Sequence, residues 1–175
     1  MNYFKNVLYS VGAIYFGCSF ISGLGRTDFG GDWWLKDEVS LTGRLYSNGI
    51  PKEMTVVQYS DSISIVKISS GLTGDVKANE ILRFDGQLIE SMSGSHKRKV
   101  TAMKWGDKDQ KTFQEITRRY AVNDTSKLEH ITTDTWSIEN AELVLVRKDE
   151  NLVNGEVWEE KGIYQKQYNS SKSTQ

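Results

Sequence analysis

From Met54 to Gln165 the chain repeats one pattern: a short run rich in Val, Ile, Thr and aromatic residues, then a tight polar turn. "MTVVQYS" and "SISIVKISS" meet at Ser60-Asp61, and "EILRF" and "QLIES" flank Asp85-Gly86. "KVTAMKW" and "TFQEITRRY" flank "GDKDQK", while "HITTDTWSI" and "ELVLVRK" flank "ENA". A last run, from about Glu156 to Gln165, follows Asn154-Gly155. Short β-branched and aromatic runs bounded by Gly, Asn and Asp predict strands joined by hairpins. Asp85-Gly86 is the strongest of these signals, because a type I′ turn needs positive φ at both central residues. In "KTFQEITRRYA", Phe113, Ile116 and Tyr120 fall at helical spacing, so a helix rivals the strand there. Thr112, Thr117 and the likeness to the later Trp-bearing hairpin favour the strand.

A meander of short antiparallel strands either closes on itself or leaves edges to be protected. The expected fold is all-β: an antiparallel up-and-down β-barrel of about 8–10 strands. With 175 residues there is room for one such domain. A net charge of −1 points to neither nucleic acid nor an anionic membrane surface. No aromatic interleaving of basic residues makes a stacking platform for single strands either. One Cys excludes an internal disulfide and a cysteine zinc site, and two His add few ligands, so no metal and no cofactor is expected.

The single thiol sits in "AIYFGCSF". Before it, Lys5 is the only charged side chain, an apolar segment runs from Val7 to Phe16, and the small Gly17 follows. That is the shape of an export signal. It also resembles the bacterial lipoprotein signal, in which cleavage falls before a cysteine that has been lipidated; the resemblance makes Cys18 the acylated N-terminus. Two other readings stand beside it. The uncharged stretch from Val7 to Gly25 is long enough for a membrane span, although its Gly and Ser dilute it. Alternatively, an ordinary secretory signal is cut further on and Cys18 is lost. All three place the folded domain outside the cytoplasm. The lipoprotein reading predicts a bacterial envelope protein, periplasmic or in the outer membrane, held to a membrane by its N-terminal lipid; without lipidation it is secreted. The expected organisation is a signal peptide over 1–17, a lipidated N-terminus and tether over 18–29, a barrel over 30–166 and a polar tail over 167–175.

"GGDWWL", Pro51, "TVVQYS", "RFDGQ", "KRKVTAMKW" and "TDTWSI" occur in that order between Phe29 and about Gln165. This arrangement resembles the lipocalin-like (calycin-type) barrel domains of small bacterial envelope lipoproteins. Gly31-Asp32-Trp33 has the G-x-W form that opens the first strand of such barrels, and the resemblance implies that Trp33 plugs the closed end. The Gly usual after the second Trp strand is absent from "SIENAEL", and Arg147 is the candidate for the Arg that packs over the Trp in true lipocalins. A small barrel of this type implies non-catalytic binding of an apolar or amphipathic molecule. The competing reading is a barrel filled by its own side chains.

Candidate pocket or mouth residues follow from strand position: Trp34, which faces opposite to Trp33, together with Tyr59 and Met103. Thr55, Val57 and Tyr59 share one face of their strand and Met54, Val56 and Gln58 the other. If the second face is inner, Gln58 becomes a polar anchor among apolar walls. His96, Lys97, Arg98 and Lys99 form the sharpest charge cluster, a candidate site for an anionic headgroup or an acidic partner. Basic 97–119 set against acidic 129–160 also predicts outward-facing charge pairs across neighbouring strands. A protein partner, such as a cell-wall hydrolase bound through the "MSGSHKRK" loop, is the alternative to a small ligand. No Ser elbow, phosphate loop or carboxylate pair beside a His marks an enzyme.

Overall fold

The structure, a computed structural model, describes residues 26–42, 49–92 and 97–167. The expected signal peptide, Cys18, His96 and the tail beyond Gln167 lie outside the described residues. Among the described residues ten strands form a single antiparallel sheet: β1 (Gly31–Ser40), β2 (Glu53–Gln58), β3 (Ser62–Gly71), β4 (Gly74–Arg83) and β5 (Ile89–Met92) in the first half. The second half supplies β6 (Arg98–Trp105), β7 (Thr112–Tyr120), β8 (Leu128–Glu139), β9 (Glu142–Asn151) and β10 (Val157–Lys166). Their order is β4-β3-β2-β1-β10-β9-β8-β7-β6-β5. The first and last strands pair, with Trp33 opposite Lys166, and the sheet curls into a nearly closed barrel whose seam lies between β4 and β5.

Strict alternation sets the inner face. Ile63, Ile65 and Lys67 of β3 are buried, as are Phe113, Glu115 and Thr117 of β7 and Thr132, Asp134 and Trp136 of β8. The segment "KTFQEITRRYA" is therefore a strand; Ile116, which completed the helical spacing, lies on the other face from Phe113. One half of the interior is apolar and filled. Phe113 stacks on Trp136 with centroids 5.2 Å apart, and Phe29 meets Phe113 edge-on at 4.9 Å. Met54, Ile63, Ile65, Leu82, Met103 and Leu145 complete this packing. Each fully buried side chain of this size stabilises the fold by about 1.5–3 kcal/mol.

Residues 26–29, expected as the end of the tether, belong to the folded part. Phe29 is fully buried, and the Arg26 guanidinium lies 4.1 Å from the Phe84 ring centroid while donating to the Ser60 carbonyl. Gln58 does face inward, and its amide is spent on this segment: it accepts from the Phe29 N–H and donates to the Thr27 carbonyl, both at 3.1 Å.

One turn and one strand boundary differ from expectation. Asp85-Gly86 makes no hairpin: β4 and β5 are the two edges of the sheet, and Ile89 of β5 pairs with Thr101 instead. Only Gly86 of that dipeptide has positive φ (76°), and its N–H bonds back to the Arg83 carbonyl at 3.1 Å. A type I′ turn would need both. The tight hairpin geometry occurs instead at Asn140-Ala141, with φ of 52° and 65°, where β8 and β9 are joined. Finally, β4 starts at Gly74 rather than Glu80, because its exposed first half carries no apolar alternation to read.

Candidate functional site: a charged cavity inside the barrel

Above the filled apolar half, the inner face becomes charged. Lys67 is the centre: its ammonium lies 2.7 and 2.8 Å from the Glu115 oxygens, 2.8 Å from Glu80 and 3.6 Å from Asp134. Its ammonium also lies 5.6 Å from the Trp136 ring centroid, the point where the two halves meet. Arg147 clasps Asp134 through Nε and Nη2 at 2.7 and 2.6 Å, and its Nη1 donates to the Gly49 carbonyl. Lys99 reaches Glu80 at 2.5 Å. The Arg119 Nη1 donates to the Thr132 hydroxyl at 2.8 Å, and Thr132 in turn donates to Asp149 at 2.7 Å. Thr101 and Thr117 share a hydrogen bond of 3.1 Å.

Burial of so many ionisable groups moves their titration. Burial pushes Glu115 up to about 8, helped by the neighbouring Glu80 and Asp134 charges and opposed by Lys67. Burial also disfavours the Glu80 carboxylate, but Lys67 and Lys99 outweigh it and hold Glu80 well below the usual range. Glu80 and Glu115 titrate as one coupled pair, in which burial and the neighbouring carboxylates favour the proton on Glu115. Asp134 is held low because Arg147 overcomes its burial, and Lys67 is held charged because three carboxyl groups overcome its own.

Beside this cluster is a cavity of about 170 Å³, bounded by the charged side chains together with Pro51, Ser69, Ala78, Thr117 and Thr132. A second cavity of about 120 Å³ lies along the seam, against Leu82, Ile89 and Thr101. Glu80 and Lys99 border both, so the charged space and the more apolar seam meet at that ion pair. Among the described residues no cluster of His, Cys, Asp and Glu is arranged to hold a metal ion.

The residues singled out by sequence are scattered over this frame. Trp33 is inside (2% exposed) at the end crossed by residues 26–29, its indole N–H donating to the Phe29 carbonyl at 2.9 Å. The cation over its ring is Lys166, 5.4 Å from the centroid, and not Arg147, which is committed to Asp134. Trp34 (46% exposed) and Tyr59 (55%) face outward, because Trp33, Met54 and Val56 occupy the inner positions next to them. Met103 is inside but packed into the filled apolar half, so the structure does not bring it together with Trp34 or Tyr59. Lys97, just before β6, pairs with Glu129 of β8 at 2.6 Å; the pair joins the basic and acidic stretches but spans β7 rather than linking neighbouring strands. Arg98 pairs with Glu90 of β5 instead, and Lys99 turns inward to the cavity.

Sequence reading missed Lys67, Glu80, Glu115, Arg119, Asp134 and Arg147. The signal was available in part: Lys67 continues the face of Ile63 and Ile65, Glu115 that of Phe113, and Asp134 that of Trp136. A charge in phase with the apolar positions of its own strand is an inward charge.

No protein-family model matches the chain, and no curated protein is similar to it. Among solved structures, zebrafish ileal bile acid-binding protein complexed with cholic acid is similar across 79% of this chain and 98% of that one, at 12% identity and a TM-score of 0.45. By its own strand order, the chain is a nearly closed ten-stranded antiparallel barrel with a charged internal cavity.

Proposed function

We propose that the protein is a non-catalytic binding protein of the bacterial cell envelope, anchored through a lipid at Cys18, that takes a small amphipathic molecule into its barrel. The observation that carries this reading is the juxtaposition of the two cavities. One is walled by buried charges and hydroxyls and the other is bordered by Leu82 and Ile89, and they meet at Glu80 and Lys99. A polar head fits the first and an apolar part the second. The combined size suits a small ligand, and the filled half around Phe113 and Trp136 has no room for a long one. Two of the three hydroxyls at the cavity are engaged, Thr117 with Thr101 and Thr132 with Asp149, and no His lines the cavity to act as a base to Ser69, which favours binding over nucleophilic chemistry. The envelope location rests on the N-terminal sequence.

Native mass spectrometry of the protein from its own membranes tests this. The reading expects a discrete non-covalent adduct that disappears on denaturation, with acylation retained on Cys18. An acylated barrel that carries nothing would overturn the ligand, and an unmodified Cys18 would overturn the anchor.

A further inference from the structure

We propose that the ligand carries an anionic group, a carboxylate or a phosphate, seated between Arg119 and Lys99. The inference rests on the cavity reading above and adds the sign of the ligand's charge.

The cavity is bordered by four cations (Lys67, Lys99, Arg119, Arg147) and three carboxyl groups (Glu80, Glu115, Asp134). The carboxyl groups are committed. Asp134 holds Arg147, Glu115 holds Lys67, and Glu80 serves Lys67 and Lys99 at once. Arg119 has no carboxylate within ion-pair distance among the described residues; its hydrogen bond goes to the neutral Thr132 hydroxyl. A guanidinium is a planar fork of five donors suited to a carboxylate or phosphate, so most of this fork is open.

Register makes the case independently. Lys99 and Arg119 are direct partners in the β6–β7 ladder, and both line the cavity. Like charges directly opposite on one face of a sheet repel, with Cβ atoms about 4.5–5.5 Å apart. Two inward cations placed so, of which only Lys99 has a carboxylate partner among the described residues, are the arrangement that a bound anion stabilises most. The anion bridges them, and the rest of the ligand extends past Lys99 towards Leu82 and Ile89 at the seam.

The test is isothermal titration of the full chain in phosphatidylcholine nanodiscs, with empty nanodiscs as reference, against hexanoate, hexyl phosphate and hexanol. At least one anion is expected to bind saturably at one per chain, and hexanol at least about tenfold more weakly. The tighter of the two anions distinguishes carboxylate from phosphate. Arg119→Gln is expected to reduce the anion-over-alcohol preference to about threefold or less, and Arg119→Lys to restore part of it. Hexanol binding as tightly as both anions, or an undiminished preference in Arg119→Gln, would overturn the anionic assignment and leave the cavity reading standing. Absence of binding by all three probes would overturn both. The comparison within the unmodified protein decides the matter even if the variants do not fold.

Discussion

Lys99 of β6 holds Glu80 of β4 at 2.5 Å, tying together strands between which no backbone ladder runs. Everywhere else in the barrel, neighbouring strands are joined by main-chain hydrogen bonds; at the seam, side chains do this work. Lys99→Met is therefore expected to loosen one place selectively. Loss of a largely buried charge-assisted contact costs about 1.5–3 kcal/mol. Hydrogen exchange should accelerate in residues 79–83 and in β5, and change little in β8 and β9. Uniform acceleration across all strands would show that the pair contributes only to global stability.

The raised Glu115 gives stability a pH dependence of definite sign. Its ordinary value is 4.5 and burial beside Glu80 and Asp134 lifts it to about 8 in the fold. Between those values the folded chain holds a proton that the unfolded chain has released. Stability is therefore fully present below the unfolded value and is lost as pH rises through the folded one, with a slope approaching about 1.4 kcal/mol per pH unit. Thermal unfolding from pH 5 to pH 8 should show a falling midpoint, and Glu115→Gln should flatten that fall. A midpoint that rises over this window in the unmodified protein would contradict the assignment.

Ala141 has a φ of 65° in the turn between β8 and β9, where its Cβ crowds the following carbonyl. Glycine removes that crowding and restores the Asn-Gly pair such hairpins favour. Ala141→Gly should gain about 1 kcal/mol, raising the midpoint by about 2–4 °C. Differential scanning calorimetry measures it directly; an unchanged or lower midpoint would mean the turn relaxes without glycine.

The adjacent tryptophans separate packing from exposure. Trp33 is buried with its N–H bonded to Phe29, whereas Trp34 lies on the outer face. Trp33→Ala should cost about 3–5 kcal/mol in denaturant unfolding, and Trp34→Ala within about 0.5 kcal/mol. Equal costs would place the wrong ring inside.

The strands were legible because period-two alternation and turn residues are local properties. β2, β3, β7, β8 and β9 all follow runs of Val, Ile, Thr and aromatic side chains that can be read without knowing their neighbours. What was not legible is set by pairing. Asp85-Gly86 looks like a hairpin locally, but β4 and β5 each spend their ladder on another strand, so the seam falls where the turn signal was strongest. The candidate site was hidden for the same reason. Lys67, Glu115 and Arg147 come from three separate strands, and only the pairing of those strands brings them onto one inner face. Strand position alone leaves open which face of a strand is inner, and the pairing of β1 and β2 turns Trp34 and Tyr59 outward.

The most direct measurement of the central claim is a high-resolution crystal structure of the full chain isolated from its own membranes. The account predicts non-protein density in the cavity of about 170 Å³, in contact with Arg119 and Lys99 and continuing towards the seam at Leu82 and Ile89. A cavity closed by the protein's own side chains, with Arg119 turned onto Asp149, would show that the barrel satisfies its own charges and would contradict the account.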